Sequence, residues 1–431
     1  MGDPRDDAFL YPNDDTTGPS FSRRLLVAGS TAAGIGTLAG CASDEQQQSE
    51  TSTRDTGTVT TASSVFVFNT GDRTVSVLDV ETDSVIRTIS IGLTSSFPSN
   101  QYTPSLTDAG NDSLWLNVGR GVRALAVGSL DEVASVETGS GANWQELTPD
   151  GRHLVVSARE PAHTQYRIDA DPASESFGTV TDELDRTPEG GRGDNDGPGP
   201  CDITVHPDEE YAYVPDLYGD TLTVLDTEEF EIETQVDVMP ATDASAAAPW
   251  MGTCSPDGST LLVEHNEGAA GTESIWDLTN PAEPQLRYRL TADDGLGRRP
   301  LTSEIGPDSV TGYIFTPGSN AVTVVDLPTG SVTKQIDIGG SAFVGTWDSD
   351  HEKLYVPVRS SDEVVVIDAA TDEIVSRVPV GPSPYGATAA TVRPTEDRLE
   401  DSTSANRRLG QALSSDGTTY CIGECACGHK L

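Results

Sequence analysis

Basic residues are what this chain has least of. Among 431 residues only Lys334, Lys353 and Lys430 are lysines, and 26 basic side chains stand against 69 acidic ones, a net charge of −43. A polyanion of that size repels phosphate backbones and anionic lipid surfaces, which excludes nucleic acid as a partner. Histidine is scarce too, with six in all, and His153, His163 and His351 show no ligand-like spacing. No Gly-x-Ser-x-Gly elbow marks a serine hydrolase, and no glycine-rich loop is set to cradle a phosphate. No apolar run is long enough to cross a membrane as a helix, which takes about 20 residues.

What the chain does have is short β-branched strands. Residues 354–381, LYVPVRSSDEVVVIDAATDEIVSRVPVG, read as three strands separated by Ser, Asp and Gly turns. The pattern returns around 65–92, 211–238 and 313–339, and weaker copies end their middle strand at Gly128, Asp169 and Asp277. Placing the equivalent positions at 79, 128, 169, 226, 277, 326 and 368 gives steps of 41 to 57 residues. Units of about 40–50 residues with about four strands each are the spacing of propeller blades, whose sheets bury both faces only by stacking on neighbours. The expected fold is all-β, a seven-bladed β-propeller of four-stranded antiparallel blades.

VFNTGDRTVSVLDVETDSVIRTISIG and VPVRSSDEVVVIDAATDEIVSRVPVG resemble the YVTN repeats of propellers in archaeal surface and bacterial periplasmic proteins. The resemblance spans about 63–393, strong in blades one, four, six and seven and weak in two, three and five. It speaks for the fold and says little about function. Blade one has no innermost strand ahead of Val65; residues 383–392 are expected to supply it and close the ring with strands from both termini. The acidic excess resembles proteins of extreme halophiles, particularly halophilic archaea, in which salt screens the self-repulsion. The rival reading is an acidic surface that gathers cations as its function.

The termini suggest an address. Arg23 and Arg24 precede a weakly apolar stretch, 27–40, ending in Leu38-Ala39-Gly40-Cys41. This resembles a twin-arginine export signal with a lipobox, in which Cys41 would carry the lipid. The domains expected are therefore a signal segment (1–40), a flexible tether (41–64), the propeller (65–393) and a Cys-rich tail (394–431). The location expected is the outer face of the cell membrane, with contact to the membrane only through the anchor.

Ligands of propellers gather on the loops leading into the innermost strands. Here those loops carry Asn143, Trp144, Cys201, Asp202, Trp250, Met251 and Tyr385 as candidate binding residues; the aromatics could equally pack blade on blade. Export permits a Cys201–Cys254 disulfide, and two buried thiols or a metal or redox site with His206 or His265 are the alternatives. The acidic, Gly-rich stretch 181–200 reads as a long loop, and Asp194-Asn195-Asp196-Gly197 faintly resembles a calcium loop without its distal Glu. Pro-Asp-(Gly) turns at Pro149, Pro207 and Pro256 join first to second strands, and Asp79, Asp326 and Asp368 brace turns with a Thr three residues on.

In the tail, Cys421, Cys425, Cys427 and His429 are soft ligands suited to Cu or Zn. Their spacing resembles the ligand loop of the dinuclear copper centre of nitrous-oxide reductase and cytochrome oxidase, but Leu431 stands where that loop has Met. The function expected is a surface-anchored binding module for a small molecule or a protein, with a metal-binding or redox propeller as the alternative. Enzyme activity is the less favoured class. A propeller lactonase would use channel Glu, Arg and His, for which Glu304, Arg159 and His265 are available without a supporting motif.

Overall fold

The computed structural model describes residues 58–92, 101–105, 109–119, 121–141, 143–400, 419–422 and 425–430; residues 143, 399–400 and those from 419 onward are described by backbone alone. Seven four-stranded antiparallel sheets form the blades of a β-propeller. Blade 1 is ordered Pro384–Pro394, Val59–Asn69, Thr74–Asp79, Ser84–Ser90 from its innermost strand outward. The C-terminal strand thus completes the blade that the N-terminal strands begin, as expected, with Val65 opposite Ala389 and Phe68 opposite Gly386. The first strand starts at Val59, so the propeller includes the last residues of the segment read as a tether. The remaining innermost strands, blades 2 to 7, are Tyr102–Thr103, Asn143–Leu147, Thr204–Val205, Pro249–Cys254, Thr302–Ile305 and Thr346–Trp347.

The apolar runs exist because every blade is covered on both sides. Successive strand residues point to opposite faces. Val65 and Val67 therefore join Tyr355 and Val364 of blade 7, while Phe66 and Phe68 join Leu114 and Leu116 of blade 2. Similar buried clusters fill the other five seams between blades. Tyrosines clasp several of the seams; Tyr313 Oη, for example, donates to Asp372 at 2.7 Å and Tyr355 Oη to Asp83 at 2.6 Å. The braced turns are as expected, with Thr82, Thr329 and Thr371 donating backbone N–H and hydroxyl to Asp79, Asp326 and Asp368.

Two expectations need correction. In blade 2 the residue equivalent to Asp79 is Ala126, not Gly128: Val118 pairs with Gly121 across two residues, where Asn69 pairs with Thr74 across four. Residues 181–200 are not all loop, since Val180–Asp185 forms the outermost strand of blade 3. The loop after it is held by Arg186, which is buried and donates to Glu189 at 2.6 Å and Asp216 at 2.8 Å.

Candidate functional site

An innermost strand has a neighbour on one side only, so its other edge faces the propeller axis with backbone groups to satisfy. Side chains meet this need from blade to blade. Glu146 Oε2 accepts from Val205 N at 3.1 Å, and Asp202 Oδ2 accepts from Gly252 N at 2.6 Å. Thr204 Oγ1 accepts from Cys254 N at 3.4 Å, and Thr253 Oγ1 donates to Ser303 O at 2.9 Å. Glu146, Thr204, Thr253 and Glu304 each stand three residues ahead of the proline of a Pro-Asp turn, at Pro149, Pro207, Pro256 and Pro307. Stitching the ring and lining its axis are therefore jobs of the same few side chains.

The axis differs at its two ends. On the loop face, where the chain runs into the innermost strands, Cys201, Trp250, Met251, Phe343 and Tyr385 form one buried apolar cluster, with Trp144 packed against it. Trp250, Met251 and Tyr385 are each only 1% exposed, so this end is filled by side chains. The expected binding residues Trp144, Cys201, Trp250, Met251 and Tyr385 are thus brought together, as a plug. The Asn143 side chain lies outside the described residues. Phe343 and Tyr385 rings sit 5.1 Å apart, and Arg359 lies over the Tyr385 ring at 5.8 Å.

Cys201 and Cys254 are not joined in a disulfide. Cys201 Sγ accepts from Arg159 Nη1 at 3.4 Å and lies 4.0 Å from Met251 Sδ. Burial pushes the Cys254 thiol well up, which makes it inert. His206 Nε2 pairs with Gly258 O at 3.0 Å and His265 Nε2 with Ser274 Oγ at 2.7 Å. Among the described residues no three His, Cys, Asp or Glu are placed to hold a metal, and the acidic loop at Asp194–Gly197 is included in that statement.

On the turn face, where the Pro-Asp turns lie, the axis opens into a well of about 250 Å³ lined by Trp144, Glu146, Asp202, Thr253, Glu304 and Trp347, among others. Asp202 is the one expected binding residue with a carboxylate on this wall; Glu304 was considered in the sequence only as a lactonase acid, and Gln145, Glu146 and Ser303 were not singled out. Burial pushes the Glu146 carboxyl up to about 7, against the lowering pull of hydrogen bonds from Thr204 and Val205. Burial raises Asp202 well above the carboxylate range, and the neighbouring Glu146 adds to it. Among the described residues no Arg or Lys lines the well, and His351 is the one basic-type residue there. Three lining residues carry hydrogen-bonding groups that no protein atom satisfies: both ends of the Gln145 amide, Trp347 Nε1 and Ser303 Oγ.

The lactonase candidates do not meet as a site. Glu304 lines the well, Arg159 serves Cys201 and the Glu160 carboxylate at the loop face, and His265 is buried within blade 5. In the tail, Thr419–Ile422 and Cys425–Lys430 pair as a hairpin with Tyr420 opposite His429. The side chains of Cys421, Cys425, Cys427 and His429 lie outside the described residues, as do Cys41, Arg23 and Arg24 entirely.

The architecture defines the protein as a seven-bladed β-propeller. No protein-family model and no curated protein matches the chain. Solved structures do. The periplasmic gluconolactonase of Pseudomonas aeruginosa is 16% identical at a TM-score of 0.58, over 76% of this chain and 99% of that one. A putative 6-phosphogluconolactonase from Bacteroides fragilis is 14% identical at 0.59, over 77% and 98%. A functionally unknown protein from Desulfotomaculum acetoxidans is 15% identical at 0.56, over 78% and 100%. At these identities the likeness is one of fold.

Proposed function

We propose that the protein is an exported, lipid-anchored propeller of a salt-adapted cell that binds a small, uncharged, polyhydroxylated ligand in its turn-face well. The observation that carries this reading is the composition of the well among the described residues: unsatisfied amide, hydroxyl and indole groups, buried carboxyls and two tryptophans, with no Arg or Lys. Hydroxyl-rich ligands satisfy such donors and acceptors and lay an apolar ring face on an indole. A phosphorylated or acidic sugar would meet Glu146, Asp202 and Glu304 with no guanidinium or ammonium to hold it. The twin-arginine and lipobox motifs around Arg23, Arg24 and Cys41 support surface anchoring, and the charge of −43 supports life in salt.

A second reading, a lactonase acting on a neutral sugar lactone, is favoured by two observations. Two structural neighbours are described as gluconolactonases, one of them a putative 6-phosphogluconolactonase. Glu146, held near 7, can give or take a proton at neutral pH. The well's lack of a cation argues against the phosphorylated substrate.

Thermal-shift titration of full-length protein in constant high salt tests both readings. Glucose and glucono-1,5-lactone should raise the melting temperature, while gluconate and 6-phosphogluconate should not. Stabilisation by the acids alone would overturn the binding reading, and lactone opening at the spontaneous rate would remove the enzymatic one.

A further inference from the structure

One buried cluster lies apart from the plug and shares a single residue, Ser303, with the well. Glu264 on the second strand of blade 5 (Thr260–His265) and Glu273 on its third (Thr272–Asp277) are directly opposite partners in the sheet. Directly opposed strand residues hold their Cβ atoms about 4.5–5.5 Å apart, and like charges there destabilise the sheet. Both glutamates are 0% exposed, and none of their four carboxylate oxygens is closed into a hydrogen bond. The Ser303 hydroxyl of blade 6 lies beside the Glu264 carboxyl. That hydroxyl is itself unpartnered, in a residue 5% exposed. Five hard oxygen atoms thus meet in the seam between blades 5 and 6, none of them in a hydrogen bond of ordinary geometry.

The charge in this place does not cancel. Arg289 reaches the region and its charge acts on Glu273, but its Nη2 is held by Glu267 at 2.6 Å and by Thr272, and its Nη1 bonds neither glutamate. Burial and their mutual repulsion raise both carboxyls, and when both ionise two buried negative charges are left over, at a cost of several kcal/mol per ion. A cation of charge two neutralises the pair. Carboxylate and hydroxyl oxygens are the ligands of hard divalent cations, and the irregular seam suits the flexible coordination of calcium better than the strict octahedron of magnesium. Ser303 also lines the well, which gives the ion a path from solvent.

We propose that Glu264, Glu273 and Ser303 form a calcium-type cation site that ties blade 5 to blade 6, its remaining coordination completed by water and backbone carbonyls. The test is equilibrium binding of Ca²⁺ alone to metal-stripped full-length protein, at a fixed high concentration of KCl that suppresses loose binding to surface carboxylates. One saturable equivalent is expected. It should weaken at least a hundredfold in Glu264→Gln/Glu273→Gln, a change that keeps shape and lets the two amides bond each other. Ser303→Ala should weaken it roughly tenfold, and the surface pair Glu228→Gln/Glu229→Gln should leave it unchanged. If the double variant fails to fold, Glu264→Gln alone carries the test, with a tenfold or greater loss expected. Absence of a saturable site, or equal affinity in wild type and the Glu264 variants, overturns the proposal. So does a melting temperature that ignores Ca²⁺ but falls as pH rises through neutrality in wild type only, since a shared proton would then be the occupant.

Discussion

The two ends of the propeller axis are made from the same strands and do opposite things. At the loop face apolar side chains from the strand starts and from the loops leading into them meet as a plug around Trp250 and Tyr385. At the turn face the same strands carry Gln145, Glu146, Thr253 and Glu304 close to their ends, and the axis stays open as a polar well. The difference lies in what each end must satisfy. Apolar side chains near an axis lower the free energy by excluding water, whereas short polar ones reach the exposed strand edge of the next blade, as Glu146 and Asp202 do. A ring that is stitched by polar side chains at one end is thereby left with an open polar surface there.

The largest effect separating the ends should come from truncation. Removing residues 382–431 deletes the innermost strand of blade 1 and Tyr385 from the plug, while every well-lining residue stays in the chain. The ring should open, with exposed sheet edges and no cooperative melting transition. Removing only residues 401–431 should leave the melting curve intact. Next, Trp250→Ala should cost about 3–5 kcal/mol in denaturant unfolding, because a buried indole leaves a cavity behind. Ligand affinity in the folded protein should not change.

A third test sets pH against the well. The Glu146 carboxyl is raised from 4.5 to about 7 in the folded state, so the folded protein binds the proton more tightly than the unfolded chain. The stability this contributes is fully present below pH 4.5 and is lost as pH rises from there through 7, about 3 kcal/mol. Glu146→Gln should flatten that part of the stability profile measured at constant salt; an unchanged slope would mean the carboxyl is better solvated than the well suggests. The smallest effect on stability belongs to Gln145→Met. Losing an unsatisfied amide should be neutral or stabilising by about 1 kcal/mol, while ligand affinity falls roughly tenfold.

Much of the ring was legible because burial on both faces forces continuous runs such as Val65-Phe66-Val67-Phe68, and because a blade lacking a strand advertises its closure. Gly128 misplaced the second blade because turn length is set locally at Val118–Gly121, where no repeat shows it. The strand Val180–Asp185 looked like loop because an outermost strand faces water and its sequence is acidic. The well was harder still. Gln145 and Glu146 belong to a five-residue strand in a divergent blade, and their partners lie on another blade. One signal was present: the polar residue three places before each Pro-Asp turn, at 146, 204, 253 and 304. The Glu264–Glu273 pair carried no signal, since only the strand register brings the two glutamates face to face.

The claim that the well binds and the plug packs is tested most directly by calorimetric titration of glucose into wild type, Gln145→Met and Trp250→Phe at the same salt. One site per chain is expected, weakened about tenfold by Gln145→Met and unaltered by Trp250→Phe. Binding that survives in Gln145→Met and is lost in Trp250→Phe, or no binding of glucose or glucono-1,5-lactone to the wild type, would contradict the account.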